Sequence, residues 1–551
     1  MHEIQSKTAP EVDFSQVKRI EGFATIQAES SAYLSDESKL SAKPFDYLFF
    51  PKTEAELAAV VKFLNQQKVP FTVAGARTGL VGGCVPQEGA LISLEYLDKV
   101  MEVYRDEPSG EWRVKAQTSV SLKNLDSMLR VKQIPLLEQS LDETIRMHYA
   151  EFREDPDEYF YPPDPTEMSA SLGGSVVTNA SGARTYRYGP TRAWVRGMRV
   201  FFANGEYLDV PRGKYFSSPE GQFVVYDSKG DAAMIDIPNY PQPRTKSTAG
   251  FYAAPRMDLI DLFIGSEGVL GIVTSVDVAL LRREDKVSII QFMDSDEQAV
   301  TLADALRSEG RIQLDFLEFY SGNALDLLRR LQREEPSTVG MPPIPENAKA
   351  ALFIEMSFDP HQEDLDFSIL EAVISSCGGS LERSWAGYES RELDRFKVFR
   401  HMVPETINGI IAERKKQYPG IHKLGTDMAV PDGHMREMWD LYRSRCEELQ
   451  LEWCAFGHIG NNHIHVNILP RTSGEYETGK TLYRSWARQI VAWGGSVSAE
   501  HGIGKLKAEY LALMFGEQSL SEMKRVKKAC DPDLLFGRVN LFAPPEGRKA
   551  E

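Results

Sequence analysis

The sequence of 551 residues has no run of eighteen or more apolar residues, so no transmembrane helix is predicted. It has only five cysteines and no CxxC pair, which excludes a disulfide framework, an iron–sulfur cluster and a cysteine-rich zinc site. Its first residues, MHEIQSKTAPEVDF, lack the apolar core of a secretory signal and the arginine-rich pattern of a transit peptide. These features predict a cytoplasmic protein.

The sequence also lacks a long basic run, and it carries 80 acidic against 63 basic residues, a formal net charge of −17. Affinity for nucleic acid depends on positive charge, so nucleic acid binding is disfavoured. Hydrophobic residues make up 42% of the chain and charged residues 26%. These fractions are ordinary for folded proteins and exclude a disordered or collagen-like chain.

Residue patterns divide the chain into four parts. Residues 1–45 are polar and weakly patterned and predict an N-terminal arm, whereas residues 46–283 contain strand patterns and glycine-rich segments. Residues 284–525 alternate strand-like and helix-like patterns, which predicts a separate α+β domain, and residues 526–551 close the chain. Within the second part, the acidic and proline-containing residues 138–165 are predicted to form a long loop.

Three glycine-rich segments are the first candidates for a binding site. They are Gly75–Gly83, Leu172–Gly182 and Ile264–Thr274. Small residues let backbone N–H groups approach an anion or a flat ligand closely. The spacing is neither GxGxxG nor GxxxxGK(S/T), so neither a Rossmann site nor a P-loop is supported. For the first segment alone, a tight turn is an equally good interpretation.

The order and spacing of the three segments resemble the FAD-binding domain of the vanillyl-alcohol oxidase superfamily, in its branch of FAD-linked D-lactate and D-2-hydroxyacid dehydrogenases. The resemblance covers the chain from about Pro51 to Leu541. It implies an α+β fold: a PCMH-type FAD-binding domain of two subdomains, followed by an α+β substrate-binding cap of the FAD-linked oxidase C-terminal type. The FAD-binding residues implied by the resemblance are Ala74, Gly75, Ala76, Arg77, Thr78, Gly79, Gly82, Gly83, Pro163, Asp164, Gly173, Gly174, Thr178, Asn179, Gly182, Tyr188, Gly189, Glu267, Gly268, Gly271, Ile272, Val273 and Asn540. Some relatives bind FAD covalently through a His or Cys, but Cys84, which borders the first segment, is interpreted as a small buried residue.

A cluster of histidines is the second candidate site. His458, His463 and His465 lie within ten residues, and Glu500-His501-Gly502 follows farther on. Imidazole and carboxylate groups are ligands that zinc accepts. The cluster therefore favours a metal site, although His463 by itself is interpreted as a surface or core histidine.

The family resemblance assigns roles within this cluster. Metal-dependent relatives carry His, six residues, His, and a distant Glu-His-Gly. The resemblance therefore implies that His458, His465 and Glu500 hold a divalent ion, expected to be zinc, and that His501 is the catalytic base. Between the histidines the family usually reads Gly-Asp-Gly-Asn, where this chain has Gly460-Asn461-Asn462-His463. Asn462 can adopt the left-handed backbone of the usual glycine, while the change at 461 removes a negative charge and His463 adds a further candidate ligand.

Three basic residues are candidates for substrate binding. Phe399–Glu405 resembles the family segment whose arginine binds the substrate carboxylate, which implies Arg400 in that catalytic role. A planar guanidinium suits bidentate recognition of a carboxylate, and the alternative is a surface ion pair. Lys246 lies in a segment that resembles a family motif near the flavin. Lys423 is a candidate for a second substrate carboxylate, but its register is shifted relative to relatives specialised for 2-hydroxyglutarate.

Together these resemblances predict an FAD-dependent oxidation of a small D-2-hydroxy acid, such as D-lactate, to the 2-oxo acid. Hydride would pass to flavin N5 and electrons to an external acceptor: a quinone, a cytochrome or an electron-transfer flavoprotein. Three alternatives stay open: a D-2-hydroxyglutarate dehydrogenase, a transferase similar to alkylglycerone-phosphate synthase, and a non-catalytic flavin electron-transfer subunit. Peripheral membrane contact and a homodimer are compatible with the sequence, and neither is required by it.

Overall fold

A computed structural model describes residues 4–164, 166–334, 340–358 and 363–542 of the protein. The strands are β1 (Ile4–Gln5), β2 (Lys7–Thr8), β3 (Arg19–Glu21), β4 (Tyr47–Phe49), β5 (Phe71–Ala74), β6 (Ala90–Ser93), β7 (Val100–Arg105), β8 (Trp112–Gln117), β9 (Tyr159–Phe160), β10 (Val195–Phe201), β11 (Glu206–Pro211), β12 (Gln222–Tyr226), β13 (Ala232–Asp236), β14 (Ile272–Ala279), β15 (Leu281–Arg282), β16 (Lys286–Met293), β17 (Gln313–Tyr320), β18 (Ala350–Ser357), β19 (Ser384–Gly387), β20 (Leu424–Gly425), β21 (Trp453–Gly457) and β22 (His465–Ile468). The α-helices are α1 (Phe23–Glu29), α2 (Glu54–Gln66), α3 (Leu122–Val131), α4 (Glu143–Glu154), α5 (Leu172–Val177), α6 (Thr185–Tyr188), α7 (Ile260–Phe263), α8 (Asp296–Glu309), α9 (Gly322–Glu334), α10 (Glu363–Ser376), α11 (Ser390–Lys415), α12 (Met435–Glu448), α13 (Ser473–Ala492) and α14 (Ala508–Cys530).

The first half of the chain builds two main sheets. A four-stranded sheet has the order β3-β4-β6-β5, and its pairs β4/β6 and β5/β6 are parallel. All four residues of β6, Ala-Leu-Ile-Ser, are buried, as expected of a strand covered on both faces. A six-stranded antiparallel sheet follows in the order β2-β11-β10-β14-β8-β7. Two smaller sheets, β1-β12-β13 and β15-β9, complete this half.

The second half builds one seven-stranded sheet in the order β19-β16-β18-β17-β21-β22-β20. Strand β18, the third in this order, is buried along its whole length, and the apolar faces of α8 and α9 pack near it. This sheet places the end of β21 next to the start of β22, where the histidine cluster lies. Mixed sheets with helices packed on them confirm the predicted α+β fold class.

The closing segment of the chain returns to the first half of the molecule. Phe71 in β5 donates its backbone N–H to the carbonyl of Leu535 at 2.8 Å. The buried Lys527 ammonium, at the end of α14, donates to the carbonyls of Val269 and Phe536 at 3.1 and 2.7 Å. These contacts attach the C-terminal helix to the glycine-rich third segment.

The structure corrects the prediction of a loop over residues 138–165. Residues 143–154 form α4, whose first turn is capped by Asp142, the side chain of which accepts the N–H of Ile145 at 2.9 Å. The helix buries Phe152 edge-on against Trp112, with ring centroids 5.1 Å apart. The loop prediction was wrong because an acidic composition concealed this apolar anchor. Pro165 lies outside the described residues.

The N-terminal arm is ordered by strand pairing. Its strands β1, β2 and β3 pair with β12, β11 and β4, so each joins a different sheet. Among the described residues, no helix is long and apolar enough to cross a membrane.

Candidate functional site

The three glycine-rich segments converge on one cleft, which encloses about 1350 Å³ of empty space that includes open solvent. The turn after β5, the start of α5 and the segment before β14 form its walls. The predicted cofactor residues that line it are Gly75, Ala76, Arg77, Thr78, Gly79, Gly83, Gly173, Gly174, Thr178, Glu267, Gly268, Gly271, Ile272 and Val273. Glu500 and His501 line the same cleft. The glycine-rich segments and the Glu-His-Gly motif therefore belong to one site.

Nine of the predicted cofactor residues do not line this cleft: Ala74, Gly82, Pro163, Asp164, Asn179, Gly182, Tyr188, Gly189 and Asn540. Some of them support its walls. The Asn540 amide donates to the carbonyl of Gly83 at 2.9 Å, and its oxygen accepts from Lys505 at 2.6 Å. Asp164 instead lies beside two arginines of a neighbouring ion-pair network.

Two backbone segments approach each other closely in the cleft wall and leave no room for a side chain at Gly173. Its N–H donates to the carbonyl of Thr118 at 2.8 Å, and an added Cβ would lie 1.7 Å from Oγ1 of Thr118. We expect Gly173→Ala to lower the free energy of unfolding of the apoprotein by roughly 1–3 kcal/mol, because overpacking forces the backbones apart. Urea unfolding of the apoprotein measures this.

The matched control is Gly79→Ala, because a Cβ at Gly79 meets no atom within 4 Å in the apoprotein although Gly79 lines the cleft. Its apoprotein stability should equal that of the wild type, while its FAD affinity falls. Equal stabilities of the Gly173→Ala and wild-type apoproteins would contradict the packing argument.

The histidine cluster is built on the turn between β21 and β22. His458 directly follows β21, a 3₁₀ turn spans Ile459–Asn461, and His465 begins β22. Asn462 closes the turn with a left-handed φ of 53°, as the sequence predicts. Its side-chain oxygen accepts from Arg307 at 2.7 Å, so a side chain at this position anchors the turn where glycine would not.

Glu500 lies at the centre of the cluster. Its Oε1 is 3.1 Å from Nε2 of His458, and its Oε2 is 3.6 Å from Nε2 of His465. The other nitrogens of these histidines face outer partners: Nδ1 of His458 is 3.0 Å from Oε1 of Glu318, and Nδ1 of His465 bonds the carbonyl of Thr426 at 2.7 Å. Histidines that bind metals ordinarily have this arrangement, with one nitrogen turned inward and the other held by a carboxylate or carbonyl.

The donor set fits a divalent ion. One ligand atom from each of His458, His463, His465 and Glu500 lies within 4.8 Å of the others. Burial lowers the pKa values of His463 and His465, which keeps them neutral. Burial opposes ionisation of Glu500, yet the neighbouring His458 and Lys246 hold its pKa well below the usual range. Burial opposes protonation of His458, but Glu500 and Glu318 raise its pKa, so this imidazole would release a proton when an ion binds, as metal ligands ordinarily do.

Lys246 lies inside the cluster, whereas Lys423 lies outside it. The Lys246 side chain is 4% exposed, contacts Glu500 and donates to the carbonyl of Gly182 at 3.0 Å. Lys423 directly precedes the edge strand β20. Among the described residues, no hydrogen bond or ion pair joins Lys423 to the cluster.

Asp427 is a buried carboxylate that the sequence analysis did not identify. It accepts from the backbone N–H groups of Glu500 and His501, both at 3.1 Å, and from the Lys507 ammonium at 2.6 Å. Its Oδ2 lies 3.3 Å from Nδ1 of His501. Asp427 therefore holds the Glu-His segment and orients the imidazole of His501. An acidic residue in the otherwise uncharged run Leu424–Val430 is the signal that could have identified it.

Arg400 lies in a partly buried network and not in a surface ion pair. Its side chain is 14% exposed, its Nε is 3.1 Å from Oε2 of Glu318 and its Nη1 is 3.7 Å from Oδ2 of Asp164. Burial opposes ionisation of Glu318, but Arg400 and His458 lower its pKa to about 2. Glu318 thus connects the arginine to the histidine cluster. Strand β17 places two acidic residues, Asp315 and Glu318, among buried apolar ones, and such charges in a strand pattern are the signal in the sequence.

Cys84 is half-buried and lines the cleft, and burial raises the pKa of its thiol to about 12. Its Sγ lies 3.5 Å from Oδ2 of Asp36. These surroundings keep the thiol protonated and suit the interpretation of a small buried residue.

Glu267 joins the cleft to the segment after His501. Its two carboxylate oxygens accept the N–H groups of Ile503 and Gly504, each at 2.6 Å. Burial raises the pKa of Glu267 to about 7. Since this value exceeds the unfolded-state value of about 4.3, the folded state binds more protons between the two, and stability falls as pH rises through this window.

The loss of stability that Glu267 causes as pH rises amounts to about 3 kcal/mol, and we expect the Glu267→Gln variant to lack it. Urea unfolding of the apoprotein at pH 5 and pH 8 compares the variant with the wild type. The exposed Glu477→Gln serves as the control and should keep the wild-type difference. If the variant and the wild type show the same difference in free energy of unfolding between pH 5 and pH 8, Glu267 is not the source of that difference.

Comparison with known proteins agrees with this architecture. The domain family described as FAD binding domain matches residues 45–142 and 145–211, and the family of FAD linked oxidases, C-terminal domain, matches residues 282–540. The chain is 24% identical to the glycolate oxidase subunit GlcD of Bacillus subtilis (strain 168) over 539 residues, which cover 96% of this chain and 95% of that protein.

Two further relatives bear the names of dehydrogenases. The D-2-hydroxyglutarate dehydrogenase of Stutzerimonas stutzeri (strain A1501) is 24% identical over 93% of this chain and 94% of its own length. The D-lactate dehydrogenase of Anaerostipes hadrus is 26% identical over 87% of this chain and 86% of its own length.

A solved structure of alkyldihydroxyacetonephosphate synthase aligns with a TM-score of 0.57 at 12% identity and covers 90% of this chain and 76% of that one. This likeness shows the shared fold alone. The two domain matches together span most of the chain, and the relatives align with it over most of their own length. The protein therefore belongs to the FAD-linked oxidoreductases of the vanillyl-alcohol oxidase superfamily.

Proposed function

We propose that this protein oxidises a D-2-hydroxy acid to the corresponding 2-oxo acid, with a divalent ion held by His458, His465 and Glu500. The observation that carries the proposal is the meeting of two sites: Glu500 and His501 line the cleft formed by the glycine-rich FAD segments. The names of relatives that act on D-lactate and D-2-hydroxyglutarate support this class of substrate.

Each residue of the site has a role in this reaction. His501 accepts the proton of the substrate hydroxyl, and Asp427 orients its imidazole from 3.3 Å away. Arg400 binds the substrate carboxylate next to Glu318. The glycine-rich walls of the cleft would hold FAD, which would supply the acceptor for the hydride of the substrate α-carbon. His458, His465 and Glu500 would hold a divalent ion, which would supply a Lewis acid that makes the substrate hydroxyl easier to deprotonate.

The oxidised substrate leaves two electrons on the protein, and we assign their removal to a separate acceptor. A quinone, a cytochrome and an electron-transfer flavoprotein are the acceptor classes that suit a two-electron flavin donor. The relative named as a subunit of glycolate oxidase supports a partner protein in this role.

An anaerobic spectrum tests the proposal. The purified holoprotein is mixed with D-lactate, glycolate or D-2-hydroxyglutarate, and the flavin absorbance is followed. We expect bleaching with a D-2-hydroxy acid, no bleaching with its L-enantiomer, and loss of bleaching after chelation that metal restores. A flavin that stays oxidised with all of these acids would contradict the proposal, and bleaching that resists chelation would remove the metal from it.

A further inference from the structure

His463 lies buried in the histidine cluster, and its surroundings do not account for its two ring nitrogens. Its side chain is fully buried, and its ring centroid lies 4.3 Å from that of His465 and 5.4 Å from that of His458. Within the described part of the chain, neither of its ring nitrogens has a hydrogen-bond partner. Leaving buried polar atoms unpaired costs free energy, so a residue in this state implies a missing partner.

The orientation of His463 repeats that of its two neighbours. Its Nδ1 points to the centre of the cluster, 3.9 Å from Oε1 of Glu500, and its Nε2 lies 3.4 Å from Oδ1 of Asp427. His458 and His465 likewise present one nitrogen to Glu500 and the other to an outer acceptor. All three imidazoles therefore have the arrangement that a bound ion favours.

We propose that His463 is a further metal ligand, so that three imidazoles and the carboxylate of Glu500 hold the ion; this rests on the metal site of the proposed function. Four protein donors together with the hydroxyl and carboxylate oxygens of a 2-hydroxy acid make six. This number suits Fe²⁺, Mn²⁺ or Co²⁺ better than zinc, which prefers four ligands.

Cobalt binding tests this assignment independently of turnover. Metal-free holoprotein, with its flavin retained, is titrated with Co²⁺, and metal content and the difference spectrum above the flavin bands are recorded. We expect His463→Asn to weaken Co²⁺ binding at least about tenfold and to change the ligand-field bands. His148→Asn is the matched control, because His148 lies on α4 against Glu102 and should leave both readouts unchanged.

Two further variants separate the outcomes. His463→Gln replaces the imidazole with a longer amide, and a retained flavin spectrum shows which variants are folded. Wild-type Co²⁺ affinity and spectrum in a folded His463 variant would overturn the assignment. If His458→Asn also leaves Co²⁺ binding unchanged, the failure is that of the whole metal site and not of His463 alone.

Discussion

Replacement of His501 by alanine should lower kcat by roughly 10²–10⁴-fold while FAD stays bound, because general-base catalysis ordinarily contributes that much. His501 lines the cleft and is held by Asp427 at 3.3 Å. Among the described residues, His501 is the histidine that lines the cleft, and its Nδ1 faces Asp427. Steady-state kinetics with the substrate that bleaches the flavin, at saturating artificial electron acceptor, provide the measurement.

The control for this variant separates catalysis from assembly. Flavin content and Co²⁺ affinity of His501→Ala should equal those of the wild type, since His458, His463, His465 and Glu500 are unchanged. His148→Ala, on α4, controls for the loss of an imidazole elsewhere in the molecule. Turnover of His501→Ala close to the wild-type rate would exclude His501 as the base.

Replacement of Asp427 by alanine should lower the free energy of unfolding by roughly 3–5 kcal/mol, since removing one member of a buried ion pair leaves the other without its counter-charge. The Asp427 carboxylate is 1% exposed and Lys507 is 13% exposed. The variant also deprives the N–H groups of Glu500 and His501 of their acceptor. Urea unfolding of the apoprotein provides the measurement.

Asp427→Asn is the matched variant, because it keeps one side-chain oxygen acceptor while it removes the charge and replaces the second oxygen with an NH2 donor. It should lie between alanine and the wild type in stability, and it should lower kcat more than it changes KM, since it disturbs the orientation of His501. If Asp427→Ala is as stable as the wild type, the carboxylate does not hold this segment in place.

Much of the site could be predicted from local motifs. The glycine-rich segments identified most of the cleft wall, and the spacing of His458 and His465 with Glu500 identified residues that the structure brings together. Such motifs can be recognised in a sequence because their residues lie close together in the chain and contribute to the same site. The left-handed turn at Asn462 could likewise be predicted, since it depends on local backbone geometry alone.

Residues that act through distant partners could not be predicted in this way. Glu318 lies about 140 residues before His458 in the chain, yet the pairing of β17 with β21 places the two 3.0 Å apart. Asp164 was assigned to FAD by its motif, but the fold places it beside Arg184 and Arg400. An interpretation of His463 as a surface or core histidine considers only burial, whereas its neighbours decide what a buried imidazole does.

The sequence by itself determined the chemical groups of this protein: glycines for a flavin cleft, and a set of imidazoles and a carboxylate for which we propose an ion. The tertiary structure decided which groups meet and how each is oriented. Strand pairing in the seven-stranded sheet brings Glu318 to the histidines, and Glu267 joins the cleft wall to the residues that follow His501. The reason is physical: hydrogen bonds act over about 3 Å and close ion pairs over about 4 Å, whereas the residues that make them here lie far apart along the chain.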